Sequence, residues 1–191
     1  MLADFFASYQ QELSAALAAL DTEQLEALCG MMEATAAKGG TIYVLGNGGS
    51  ASCASHWVCD MGKGARNPAM PHMKVSALSD NTGTLTAIAN DITYDQAFAY
   101  QLEALAEPDD LVIGLSVSGS SPTIVHAFET AKAAGCATVC IIGGLGGVLG
   151  GMAGLSIVVP SKNYGVVEDV HLIINHFLSQ YMREKGHAVC E

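Results

Sequence analysis

Five short apolar runs set the frame of this chain: Thr41 to Leu45, Lys74 to Leu78, Leu111 to Leu115, Ala137 to Ile142 and Leu155 to Val159. Most are continuous rather than alternating, the pattern of a strand covered on both faces. Between them the period changes to that of helices. Ser50 to about Met61 is predicted helical, ending near Gly62-Lys63-Gly64, and so are Asn81 to Asn90 and Tyr94 to Ala106. Ser121 to Ala134 follows, with Pro122 early in the helix, where proline is well placed. A long final helix runs from Tyr164 to about Lys185. Ahead of the first strand, Leu13, Leu17 and Leu20, then Leu25, Leu28, Met31 and Met32, predict two helices within residues 2–38. Asp21 caps the second, with Gln24 at the box position, and Gly39-Gly40 ends it. Gly143 to Gly154 is glycine-rich, with room for a helical turn. Strands alternating with helices predict an α/β fold, a parallel sheet with helices on both faces. No repeat and no long linker divides the chain, so residues 1–191 are expected to form one domain.

Two of the strand–helix junctions carry the chemistry. Gly46-Asn47-Gly48-Gly49-Ser50 follows the first strand, and Ser116-Val117-Ser118-Gly119-Ser120-Ser121 follows the third. Ligands of parallel sheets bind beyond the carboxyl ends of the strands. A helix N-terminus there offers unpaired N–H groups and a partial positive charge, glycine permits close approach, and serine adds neutral donors. The glycine loop alone is a weak signal, because tight turns need glycine. Four serines at a strand end pack poorly but bind anions well. Together the loops point to a phosphorylated small molecule.

Half of the 191 residues are hydrophobic and only 14% are charged, more apolar material than one subunit needs. The excess points to burial between subunits. A net charge of -11 argues against nucleic-acid binding, and means that an anionic substrate is recognised locally, by dipoles and hydroxyls. The six cysteines, at 29, 53, 59, 136, 140 and 190, show no CxxC spacing. Buried thiols in a reducing compartment are the expectation. The first ten residues lack a basic signal-peptide region, and no apolar run reaches the ~20 residues of a membrane span. A cytoplasmic protein with no membrane partner is expected.

His56 and Asp60 are one turn apart on the helix after the first loop, and Glu168 and His176 are two turns apart on the final helix. Two histidines and two carboxylates have the ligand types of a zinc site; they equally suit acid–base chemistry without metal. Cys53, one turn before His56, reads as a buried thiol more readily than as a ligand. His72 and His126 read as solvated or locally bonded, Asn90-Asp91 as a helix end, and the methionines at 31, 32, 61, 70, 73 and 152 as packing residues.

These motifs resemble the sugar isomerase (SIS) domain family, and within it the phosphoheptose isomerases, over residues 30 to 185. The matching parts are GNGGSA at 46–51, His56, TLTAIAND at 84–91, Tyr94-Asp95, SVSGSSP at 116–122, VVP at 158–160 and EDVHLIINH at 168–176. The resemblance implies a flavodoxin-like three-layer αβα sandwich with a five-stranded parallel sheet and N-terminal helices. It also implies a homotetramer with active sites between subunits, residues 1–40 contributing to the interface. The implied reaction interconverts sedoheptulose 7-phosphate and an aldoheptose 7-phosphate. Ser50, Ser116, Ser118 and Ser121 correspond to phosphate ligands, with Asn47, Gly48, Gly49, Ser120, Asn90 and Asp91 completing the expected substrate-binding set. His176 corresponds to a general acid or base, with Asp60 and Glu168 as its carboxylate partners. The expected metal set is His56, Asp60, Glu168 and His176, with zinc as the ion.

The chain departs from the family pattern at four points. Val117 replaces a threonine, Asp60 a glutamate and Glu168 a glutamine, and the arginine expected after the helix is displaced, leaving Lys63 and Arg66 as the nearest cations. Aspartate is one methylene shorter than glutamate, and a ~1 Å misplacement can cost about a hundredfold in rate. The added carboxylate of Glu168 calls for a cation or a raised carboxyl pKa. Besides the isomerase, two non-enzymatic readings stand: a tetrameric protein that binds a replication initiator, and a phosphosugar sensor. The two histidines and two carboxylates favour chemistry.

Overall fold

The computed structural model describes residues 1–185. Its single parallel sheet is made of β1 (Thr41–Leu45), β2 (Lys74–Ala77), β3 (Leu111–Ser116), β4 (Ala137–Gly143) and β5 (Leu155–Val159), in the order β2-β1-β3-β4-β5. The helices are α1 (Leu2–Ala18), α2 (Thr22–Ala37), α3 (Gly49–Cys59), α4 (Thr82–Asp91), α5 (Ala99–Leu105), α6 (Pro122–Ala133), α7 (Leu149–Met152) and α8 (Tyr164–Lys185). The expected α/β fold is present. Cys190 lies outside the described residues.

Side-chain alternation builds the three layers. Ile42, Val44, Leu111, Ile113, Leu115, Val139, Ile141, Ile157 and Val159 face one core with Trp57 of α3, Leu28 and Met32 of α2, and Val170, Ile174 and Met182 of α8. Tyr43, Leu45, Val112, Cys140 and Ile142 face the other, against Phe98, Leu102 of α5 and Ile124, Phe128 of α6. The central strands β1, β3 and β4 are covered on both faces, which is why they read as near-continuous apolar runs. Met31, Met70, Met73 and Met152 pack against these cores, and Met61 is buried.

Local chemistry sets the element ends. The Asp21 carboxylate accepts from the Glu23 N–H, and the Asn81 side chain from the Thr84 N–H. The predicted helix from Tyr94 to Ala106 is instead a short tight turn at Tyr94–Gln96 followed by α5. Helix α3 does not stop at Met61 but widens into a π-turn, Asp60–Gly64, in which the Ala65 N–H donates to the Asp60 carbonyl at 2.7 Å.

Helix α1 is tethered by its polar side. Tyr9 donates to Asp169 at 2.6 Å, a bond that, with burial, pushes the phenol up to about 12, and Ser161 donates to Glu12 at 2.6 Å. Its Leu2, Phe5 and Phe6 remain exposed. No helix among the described residues is long and apolar enough to cross a membrane.

Candidate active site

Helices α3 and α8 run side by side in the same direction. Ser50 meets Glu168, the Trp57 indole N–H donates to the His171 carbonyl at 3.4 Å, and Asp60 meets Asn175. Trp57 is wholly buried at the middle of this seam. One end of the seam is the serine pocket and the other is a histidine–aspartate cluster.

At the first end, Asn47, Ser50, Ser116, Val117, Ser118, Ser121 and Glu168 line a cavity of about 120 Å³, closed by Leu115 and Tyr164. The Oγ of Ser116 lies 3.4 Å from that of Ser118 and 3.1 Å from that of Ser121. The Gly119 N–H donates to Ser116 Oγ, and the Ser120 N–H to Ser118 Oγ. Those hydroxyls therefore have an acceptor site filled and a proton to give. The loop needs Gly119, whose φ is +65° and where a Cβ would overlap the Gly146 carbonyl. Neither α3 nor α6 has a side-chain cap at its N-terminus, so both helices present open N–H groups. Asn47 is held at both ends of its amide: it donates to Thr123 at 2.8 Å and accepts from the Tyr94 hydroxyl at 2.9 Å.

At the second end three groups converge. His56 Nε2 and His176 Nε2 are 3.0 Å apart, and Asp60 Oδ2 lies 3.3 Å from the first and 3.5 Å from the second. Asn175, fully buried, donates to Asp60 Oδ2 at 2.7 Å and fixes the carboxylate. These spacings suit a tetrahedral ion, for which N and O ligands at ~2.0–2.1 Å sit about 3.3 Å from one another. His56 and His176 side chains are 46% and 44% exposed, so a coordination position would open to solvent, as in catalytic sites. His56, Asp60 and His176 could thus hold a metal ion.

Within one chain, the expected site residues do not all come together. Glu168 does not join the metal cluster: eight residues before His176, it is about 12 Å away along the helix, and its carboxylate lies 3.3 Å from Ser50 Oγ instead. Sharing a helix face did not mean sharing a site. Asn90 and Asp91 are exposed, bonded to each other at 2.7 Å, and do not line the serine pocket; Ser120 is exposed and turned out of it. Cys53 is buried, its thiol pushed up to about 11 chiefly by desolvation, as the packing reading expected. His126 bonds Gln96, and His72 bonds Arg66. Neither Lys63 nor Arg66 lines the serine pocket, and among the described residues Glu168 is the one charged residue that does.

Sequence reasoning quoted Tyr94, His171 and Asn175 only inside matching motifs, with no role of their own, and passed over Thr123. Asn175 adjoins His176, and its amide was the available signal. His171 is 0% exposed, with Nε2 donating to the Ile141 carbonyl at 3.1 Å and Nδ1 unpaired among the described residues. Desolvation holds it down to about 4. The unfolded chain binds this proton near the ordinary value of 6.5 and the folded chain does not. Stability is therefore fully present above about 6.5 and falls as pH drops towards 4, at up to ~1.4 kcal/mol per pH unit. Denaturant titrations from pH 4.5 to 7.5 are expected to show that slope, and His171→Gln to flatten it; an unchanged slope in the variant contradicts the assignment.

A family model described as the SIS domain matches residues 4–143. The chain belongs to the SIS domain family. A probable phosphoheptose isomerase of Thermoplasma acidophilum is 34% identical over 177 residues, covering 93% of this chain and 97% of the relative. A phosphoheptose isomerase of Solidesulfovibrio magneticus is 37% identical over 177 residues, covering 90% and 85%. The solved phosphoheptose isomerase of Neisseria gonorrhoeae superposes with a TM-score of 0.85 at 26% identity, covering 95% of this chain and 96% of that one. This SIS-family chain thus carries a hydroxyl-rich pocket and a metal-competent cluster at the two ends of the α3–α8 seam.

Proposed function

We propose that this chain is a phosphoheptose isomerase, interconverting sedoheptulose 7-phosphate and D-glycero-D-manno-heptose 7-phosphate. The observation that carries the reading is the convergence of Ser50, Ser116, Ser118 and Ser121 on one cavity at one end of the α3–α8 seam, with His56, Asp60 and His176 clustered at the other. The relatives named above support the seven-carbon substrate. In this reading the serine hydroxyls and the N-termini of α3 and α6 hold the phosphate without a cation from this chain. Asn47, fixed by Tyr94 and Thr123, orients the ligand at the pocket mouth.

The reaction moves a proton between C1 and C2 through an enediol. It needs a base near the carbon-bound proton and an acid near the carbonyl oxygen. Asp60 is the base and His176 the acid, and Asn175 keeps the Asp60 carboxylate aimed at the histidines. Glu168 stands at the phosphate end and is not assigned proton transfer. Alternatively, His56, Asp60 and His176 would hold zinc, which would polarise the substrate carbonyl, and their coordinating atoms would then serve as ligands and not as acid or base.

Incubation with sedoheptulose 7-phosphate, with and without added zinc, tests the reading. Aldoheptose 7-phosphate is the expected product, with solvent deuterium incorporated at C2. Absence of both product and exchange under both conditions overturns it, and retained binding without turnover would favour the sensor.

A homotetramer with active sites between subunits belongs to the same reading. The exposed Leu2, Phe5 and Phe6 of α1 support an interface there. Light scattering at micromolar concentration is expected to give a tetramer mass; a monomer mass contradicts it.

A further inference from the structure

The serine pocket contains its own anion. Glu168 Oε1 lies 3.3 Å from Ser50 Oγ, and the carboxylate crowds Gly49, where even a Cβ would overlap it. Gly49 and Ser50 are the first residues of α3, whose N-terminus has no side-chain cap. Glu168 therefore occupies the position at the positive end of the helix that an incoming anion would take. Among the described residues it is the one charged residue lining the pocket, and no cation among them lines it. A glutamine of the same shape would leave the pocket neutral.

We propose that Glu168 is the specificity-determining residue of this pocket, holding it against a free anion and yielding it to an anion carried on a polyhydroxyl chain. A bare phosphate must displace the carboxylate from Ser50 and then sit beside it, and two anions at that range repel. A sugar phosphate brings hydroxyl donors along with its anion. The displaced carboxylate, an acceptor only, can take those donors in place of the Ser50 hydroxyl and the helix end. The pocket then discriminates against inorganic phosphate, which any cell holds in excess over a sugar phosphate. The inference rests on the anion-binding reading of the serines made above.

The test is titration calorimetry with inorganic phosphate and, separately, with sedoheptulose 7-phosphate, on the full-length protein and on Glu168→Gln. Glu168→Gln is expected to bind inorganic phosphate at least about tenfold more tightly, and the ratio of the two dissociation constants to fall by a similar factor. Equal phosphate binding by both proteins, with the sugar phosphate also bound, overturns the proposal but leaves the anion pocket standing. No binding of either ligand by either protein overturns the anion pocket itself, and this proposal with it. Circular dichroism melting checks that the variant folds. Should it not, Glu168→Ala, which also removes the charge, is expected to give the same tightening for inorganic phosphate, and its failure to do so counts against the proposal.

Discussion

His176→Ala is expected to lower kcat/KM for sedoheptulose 7-phosphate by about 10²–10⁴-fold, the range for loss of a positioned acid or base. The imidazole stands 3.0 Å from His56 Nε2 and 3.5 Å from Asp60 Oδ2, so its removal also breaks the three-ligand set. Protein purified without chelator or affinity metal is expected to carry stoichiometric zinc, and the variant to carry none. The side chain is half exposed, so the fold survives and the variant melts near the parent temperature. Near-parental kcat/KM would remove His176 from the chemistry. Lost activity with zinc retained would leave it an acid–base role and reassign the ligand set.

The largest effect on stability is expected from Trp57→Ala. The indole is wholly buried between α3 and α8, in the core that also holds Leu28, Ile42 and Val170. Truncation of a buried tryptophan leaves a cavity and costs about 3–5 kcal/mol. The Trp57 N–H also donates to the His171 carbonyl, so that acceptor loses its indole partner. Since Trp57 is the chain's one tryptophan, the unfolding midpoint is read by circular dichroism rather than fluorescence. A loss under ~1 kcal/mol would show that the seam repacks.

Particular residues show how far the sequence could be read. The apolar runs announced all five strands within a residue or two, most plainly β1, β3 and β4, which are covered on both faces; the edge strands β2 and β5 are partly exposed and carry Ser76 and Ser156. The serine pocket was visible for a related reason: hydroxyls at strand ends have few structural uses. Glu168 was grouped with His176 by periodicity, which reports the face of a helix a residue occupies and not how far along the axis it lies. Asp60 was placed on a simple helix, whereas it opens a π-turn, a backbone choice that the Gly62 and Gly64 spacing permits but does not announce. Asn175 escaped notice because its role depends on the partner helix: its meaning comes from Asp60, 115 positions earlier. The Tyr94 to Ala106 stretch has helical composition throughout, yet tertiary packing of Phe98 and Leu102 against α6 divides it.

The co-directional seam of α3 and α8 acts as a ruler. The anion end and the proton-transfer end of the proposed site are marked on the same two rigid rods, ten residues apart on one and eight on the other. The spacing of Ser50 from Asp60 and of Glu168 from His176 is set by helical rise, ~1.5 Å per residue, while Ser116, Ser118 and Ser121 join the anion end from the β3–α6 junction. An insertion in a surface loop leaves the marks where they are. A one-residue insertion between Ser50 and Asp60 would turn the carboxylate by about 100° and carry it off the seam. The span between the Ser50 end and the histidine–aspartate cluster is thus built into the two helices, and the β3–α6 loop completes the anion end of that span.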